Sequence, residues 1–148
     1  MTTLGLQQRE RSAYKDNLGV ARELAPKSWT NRGGSEPEYY IYKALQKRGL
    51  IEGTDFVYQS PQAGGRMQLG GAVVDFLLVF PPIGINVQSL YYHATKAAQR
   101  NHDIAVRSTL EGKGIQVVYI DEDEAINDPD GAVADAISGR GSNDPIGL

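Results

Sequence analysis

GGAVVDFLLVFPPIGINVQSLYYH, residues Gly70 to His93, is the stretch on which the reading of this chain turns. Two β-branched, apolar runs, Ala72 to Phe80 and Ile85 to Gln88, flank a turn at Pro81-Pro82-Ile83-Gly84. Such runs around a proline-rich break predict a buried hairpin. One charge, Asp75, interrupts the first run. A carboxylate there must be paired, hydrated at an opening or bound to a metal, because burying it alone costs several kcal/mol. Across the turn, Asn86 and Gln88 alternate with Ile85 and Val87, so both amides leave the strand on one face. An acid on one strand and two amides on the next can share one wet pocket, and that pocket is the candidate site.

The totals bound what surrounds it. At 148 residues the chain fits one domain with a single core, and 17 glycines with 7 prolines imply many turns. No apolar run approaches the length of a membrane span, and Met1 to Glu10 lacks a signal-peptide core. No membrane partner is expected, and the location is cytoplasmic or within an assembled particle. The absence of cysteine removes disulfides, thiolate zinc sites and cysteine nucleophiles together. A net charge of -3 gives no general affinity for nucleic acid, and leaves room only for a local basic patch.

Upstream of the hairpin, residues 1–34 are polar and charged, and they read as an extended N-terminal arm. Trp29, the only tryptophan, lies in it, either tucked against the domain or free to anchor a protein partner. Ser35 with Glu38 forms a capping box that opens a helix, Pro37 falls harmlessly in its first turn, and Gly49 ends it. Glu38 shares a face with Ile41, Tyr42 and Leu45, so it either serves the cap alone or points inward to the rim of the Asp75 pocket. Asp55 to Gln59 reads as a short strand, and Ser60 to Gly71 as a glycine-rich loop without phosphate-cradle spacing.

Downstream, Ala94 to Gly112 reads as a helix whose charges, Lys96, Arg100, Asp103, Arg107 and Glu111, form a solvated face with internal pairs or a DNA-backbone contact. Ile115 to Ile120 is a buried strand by length and β-branching. The run Asp121-Glu122-Asp123-Glu124 reads as a solvated turn, Asp130 as the cap of a helix from Gly131 to Ile137, and the rest as an extended tail. Strand, helix, strand at the end implies a crossover and a parallel pair. The fold class is therefore α/β (α+β), a central mixed β-sheet flanked by helices. Its divisions are an arm at 1–34, a core at 35–138 and a flexible or docking tail at 139–148.

This order resembles the PD-(D/E)XK restriction-endonuclease-like superfamily, and within it the very-short-patch-repair-like and DUF559-like domains. The resemblance spans Ser35 to Asp123 and rests on Ser35-x-x-Glu38, Val74-Asp75-Phe76, Ile85-Asn86-Val87-Gln88-Ser89 and Tyr91-Tyr92-His93. It implies a restriction-endonuclease-like core in which Mg²⁺, held by hard oxygen ligands, activates a water against a phosphodiester. On that pattern Asp75 matches the family aspartate and Glu38 the helix glutamate. Asn86 stands where the second carboxylate belongs and Gln88 where a lysine is common. Asp75 and Asn86 would be the metal ligands, and His93 the analogue of a downstream histidine, unless it only orients the next helix. His102 reads as a surface residue.

Two neutral amides in place of an anion and a cation define the leading expectation: a catalytically degenerate nuclease fold, without cofactor. It would act as a structural or binding module in a larger assembly such as a phage particle, with protein partners reached through the arm and tail and homo-oligomers allowed. The alternative is an active Mg²⁺-dependent DNA endonuclease, using Glu38, Asp75, Gln88 and His93 and holding DNA through Arg66, Lys96, Arg100 and Arg107.

Overall fold

The computed structural model describes residues 13–15, 21–58, 74–88 and 97–141, with side chains from 23 onward except 97–103. A four-stranded mixed sheet sits between helices. Strands β3 (Phe56–Tyr58), β4 (Phe76–Leu78), β5 (Ile83–Gln88) and β6 (Gln116–Asp121) lie side by side in that order. The pairs β3/β4 and β4/β5 are antiparallel, whereas β5/β6 is parallel, with Ile85 opposite Val118. Helix α2 (Glu36–Lys47) precedes the sheet, α3 (Ala97–Glu111) makes the crossover, and α4 (Glu122–Asn127) and α5 (Pro129–Ile137) close the described chain. Ahead of them lie a small antiparallel pair, β1 (Ala13–Lys15) with β2 (Ala21–Glu23), and a one-turn helix α1 (Lys27–Thr30).

Strand alternation sorts the core into two layers. Val118 and Ile120 join Ile83, Ile85, Phe56 and Phe76 under α2, α4 and α5, while Val117 and Tyr119 face Val106 and Leu110 of α3. Ile41 and Leu45 of α2 are fully buried, each worth about 1.5–3 kcal/mol of apolar transfer. Lys47 at the end of α2 bonds Asp130 of α5 at 2.7 Å, a largely exposed tie that adds little beside this packing.

The α2 boundaries follow the sequence closely. Ser35 and Glu38 form the reciprocal capping box, Pro37 lies in the first turn, and Gly49 takes φ +88° beyond the last turn. Three expectations are corrected. The hairpin connection is Val79 to Pro82, because Leu78 pairs with Ile83 and the latter is buried within β5. The two prolines, unable to donate to a ladder, stay in the connection. The acidic run is not a turn: Asp121 ends β6, and Glu122, Asp123 and Glu124 form the first turn of α4, where carboxylates suit the helix dipole. Finally, Asp128 rather than Asp130 caps α5, accepting from Gly131 N at 3.1 Å, with Pro129 at the first helical position.

The arm boundary at Gly34 also differs. Trp29 is 3% exposed and belongs to the main core, stacked near Tyr58 at 4.4 Å and Tyr42 at 4.8 Å, with Nε1 donating to Ser35 O at 2.9 Å. Ala25 N donates to the Glu36 carboxylate, so the chain is integral to the domain from that point. Gln59, the 60–71 loop and the tail from Ser142 lie outside the described residues.

Candidate carboxyl-pair site

A bend at Asp75 builds the site. Phe76 and Leu78 turn toward α2, and strict alternation would send Val74 the same way. Instead Val74 packs in the second core layer, 1% exposed, against Gly84. A Cβ on Gly84 would stand 3.0 Å from Val74 Cγ1, so glycine is what lets the bent chain lie down there.

The bend frees the Asp75 amide from the ladder and gives it to a side chain. Asp75 N donates to Asn86 Oδ1 at 3.0 Å, and Val87 N donates to Asp75 Oδ2 at 2.8 Å. The two residues therefore clasp β4 to β5 past the last regular pair, Phe76 with Ile85.

Glu38 completes the arrangement from α2. Glu38 is buried, Asp75 is half-buried with its carboxyl turned inward beside it, and Glu38 plays both roles that the sequence allowed. Its Oε1 accepts from Ser35 N at 2.9 Å, closing the capping box, while its carboxyl also meets that of Asp75. Burial first, and the charge and hydrogen bond of Glu38 next, push the Asp75 carboxyl well above the usual carboxylate range, against the pull of Val87 N–H. A carboxyl drawn in beside a second acid resists ionising, so Asp75 keeps its proton to higher pH than an exposed aspartate does.

Gln88 sits two residues beyond Asn86 on β5, opposite Asp121 of β6. Its Oε1 is buried and, among the described residues, accepts no hydrogen bond. His93, Arg66 and Lys96 lie outside the described residues, as do the side chains of Arg100 and His102 on α3. Arg107 pairs with Glu111 one turn on at 3.1 Å, and its side chain is mostly covered rather than on an open face of α3. Trp29, one candidate anchor for a partner, is core.

The donor set is a poor fit to a divalent ion. Glu38 Oε1 serves Ser35 N, Asp75 Oδ2 serves Val87 N and Asn86 Oδ1 serves Asp75 N, while the Asp75 carboxyl is pushed above the usual carboxylate range. An ion would have to take the place of the Asp75 proton and compete with three N–H groups. Among the described residues, no group of three histidine, aspartate or glutamate side chains is placed to hold a metal. No hydrolytic step is derived from these residues.

Sequence reasoning missed a second polar constellation. Arg32 pairs with Glu52 through both nitrogens, one contact at 3.1 Å, and Tyr42 OH donates to Glu52 Oε1 at 2.9 Å. The guanidinium lies 5.3 Å from the Trp29 and Tyr58 ring centres and 5.8 Å from that of Tyr42. Only the nearness of Arg32 to Trp29 in the chain hinted at it. No family model matches this chain, and no curated protein or solved structure matches it either.

Proposed function

We propose that this chain is a nuclease-fold protein whose catalytic position has become a structural clasp, and that it serves as a binding or structural module in a larger assembly. The observation that carries this reading is how Asp75 is held: one oxygen takes Val87 N–H, its carboxyl faces that of Glu38, and Asn86 is turned onto its backbone. A carboxylate meant to grip Mg²⁺ needs its charge and its lone pairs available.

The fold half of the reading is supported by element order. Helix, three-stranded antiparallel meander, helix and parallel strand follow one another, with Asp75 at the bend just before the second strand and Asn86 and Gln88 on the third. That arrangement suits a restriction-endonuclease-like core. The assembly half, with a phage particle as the favoured setting, draws on the polar composition of the first residues and the tail.

A second reading, an active Mg²⁺-dependent DNA endonuclease, is favoured by one feature: the buried Gln88 Oε1 lacks a donor and could serve as a neutral ligand beside the two carboxyls. Incubation with supercoiled plasmid in Mg²⁺ or Mn²⁺ separates the two. The clasp reading expects no nicking above that of Asp75→Ala. Nicking that disappears with Asp75→Ala would establish the enzyme instead.

A further inference from the structure

Strand β6 is the outermost of the main sheet, with β5 on one side and, among the described residues, no strand on the other. Gln116 N donates to Pro82 O at 3.1 Å, so Gln116, Val118 and Ile120 direct their backbone groups toward β5. Val117, Tyr119 and Asp121 turn theirs the other way. The strand is six residues long, and its central Val117, Val118, Tyr119 and Ile120 are β-branched or aromatic and buried on the two faces of the sheet. An edge of that length and character is a template for another strand unless something covers it.

What covers it is residues 139–141. Beyond α5, Gly139 takes φ +83°, its carbonyl accepts from Gln116 Nε2 at 2.9 Å, and the chain then passes over Tyr119. A Cβ on Gly141 would stand 2.5 Å from Tyr119 O and 3.2 Å from Tyr119 N, so only glycine lets the backbone lie so close to the strand. The cover is thin. Its two glycines bring no side chain into the contact, and the Arg140 side chain turns to an exposed bond with Asp135 at 3.1 Å. A cavity of about 140 Å³ remains beneath it, walled by Val117 and by Arg107 of α3. Exposed polar ties of this kind open locally at little cost.

We propose that Gly139–Gly141 is a strap that keeps β6 closed to a second copy of the chain, and that lifting it lets two copies join edge to edge through β6. A two-fold axis sets the two strands antiparallel. Only the outward-facing residues exchange hydrogen bonds, so the register that uses all three puts Tyr119 opposite its own copy and Val117 opposite Asp121. Val118 then faces Ile120, and no like charges stand opposite within the strand. The strand is its own complement in this register, which favours a second copy over an unrelated peptide. The inference does not rest on what the carboxyl pair does.

The test compares the full-length chain with Gly141→Val, whose added Cβ collides with Tyr119 O and prises the strap away. Sedimentation equilibrium into the hundreds of micromolar should give a monomer for wild type and a reversible monomer–dimer equilibrium for the variant. Gly141→Ala, with the same Cβ and less bulk, should dimerise more weakly. In the Gly141→Val dimer, the amides of Val117, Tyr119 and Asp121 should exchange with deuterium about tenfold more slowly than in the dilute variant. Asp121 already has φ −68°, which a proline ring accepts, and its amide faces outward. Adding Asp121→Pro to Gly141→Val should therefore weaken the dimer by about tenfold or more through lost edge hydrogen bonds. The inference is overturned if both Gly141 variants fold and stay monomeric, or if wild type dimerises as strongly as they do. It is equally overturned by a dimer indifferent to Asp121→Pro or by an open series of larger oligomers.

Discussion

Glu52 and Asp75 are both acids drawn in beside helix α2, and they differ in what faces them. Glu52 meets a guanidinium, with a tyrosine hydroxyl as second donor, so both its oxygens are served by positive or polar hydrogen. The Arg32 hydrogen bond holds its carboxyl below the usual range against the opposing effect of burial, and Arg32 in turn is held above its ordinary value. Burial, reinforced by Glu52, pushes the Tyr42 phenol up. Asp75 meets another acid and is shifted the opposite way. Burial alone does not fix the ionisation of a carboxyl; the identity of the neighbour does. The Arg32 pair is an ion pair on an aromatic floor, whereas at Asp75 a second acid beside it disfavours ionisation.

The largest effect should come from removing that aromatic floor. Trp29→Ala should cost about 3–5 kcal/mol of stability, measured by denaturant unfolding, since it empties a core site and loses the indole bond to Ser35 O. It should also let the Glu52 carboxyl rise toward its ordinary range as Arg32 loses its platform, which a titration followed by NMR would detect. A loss below 1 kcal/mol would mean that the indole is peripheral after all.

Next in size, Glu52→Gln should cost about 1–3 kcal/mol near neutral pH, leaving Arg32 half-buried without its counter-charge. A lowered folded pKa gives stability that is present above the unfolded value, about 4.3, and is lost as pH falls through the folded one. The gap between wild type and variant should therefore close in acid.

The smallest effect has the opposite sign. Asp75 has a raised folded pKa, so its contribution is full below the unfolded value of about 3.9 and declines as pH rises through the folded value. Asp75→Asn keeps an acceptor for Val87 N–H and supplies a permanent donor to Glu38. It should be about 1 kcal/mol more stable than wild type at pH 8, with the advantage gone by pH 4. Unfolding curves at the two pH values decide it; a variant weaker than wild type at pH 8 would show that Asp75 holds no proton there.

What the sequence disclosed was whatever is local. The capping box, the glycine stop of α2, the placement of Asn86 and Gln88 on one face and the parallel pair β5/β6 all follow from spacing within one or two elements. So did the suspicion that an aspartate inside an apolar run must have a partner. The errors came where tertiary contact chose between local options. Ile83 could close a turn or open a strand, and burial against α2, α4 and α5 chose the strand. Acids after a strand suit a turn or a helix start, and α4 took the helix. At α5 the signal was there to be read, since Asp128 directly before Pro129 is a stronger start than Asp130. The Arg32–Glu52 pair joins residues 20 apart from opposite ends of α2, in flanking segments that carry no motif, so no periodicity could reveal it.

Glu38 has a consequence that reaches past the site. One carboxyl simultaneously seals the first turn of α2 and hydrogen-bonds the aspartate at the strand bend, so a disturbance of either reaches the other. Opening of the helix start is thereby coupled to peeling of β4 from β5. The chain gains a latch between segments 37 positions apart, set by the fewest atoms that could span it.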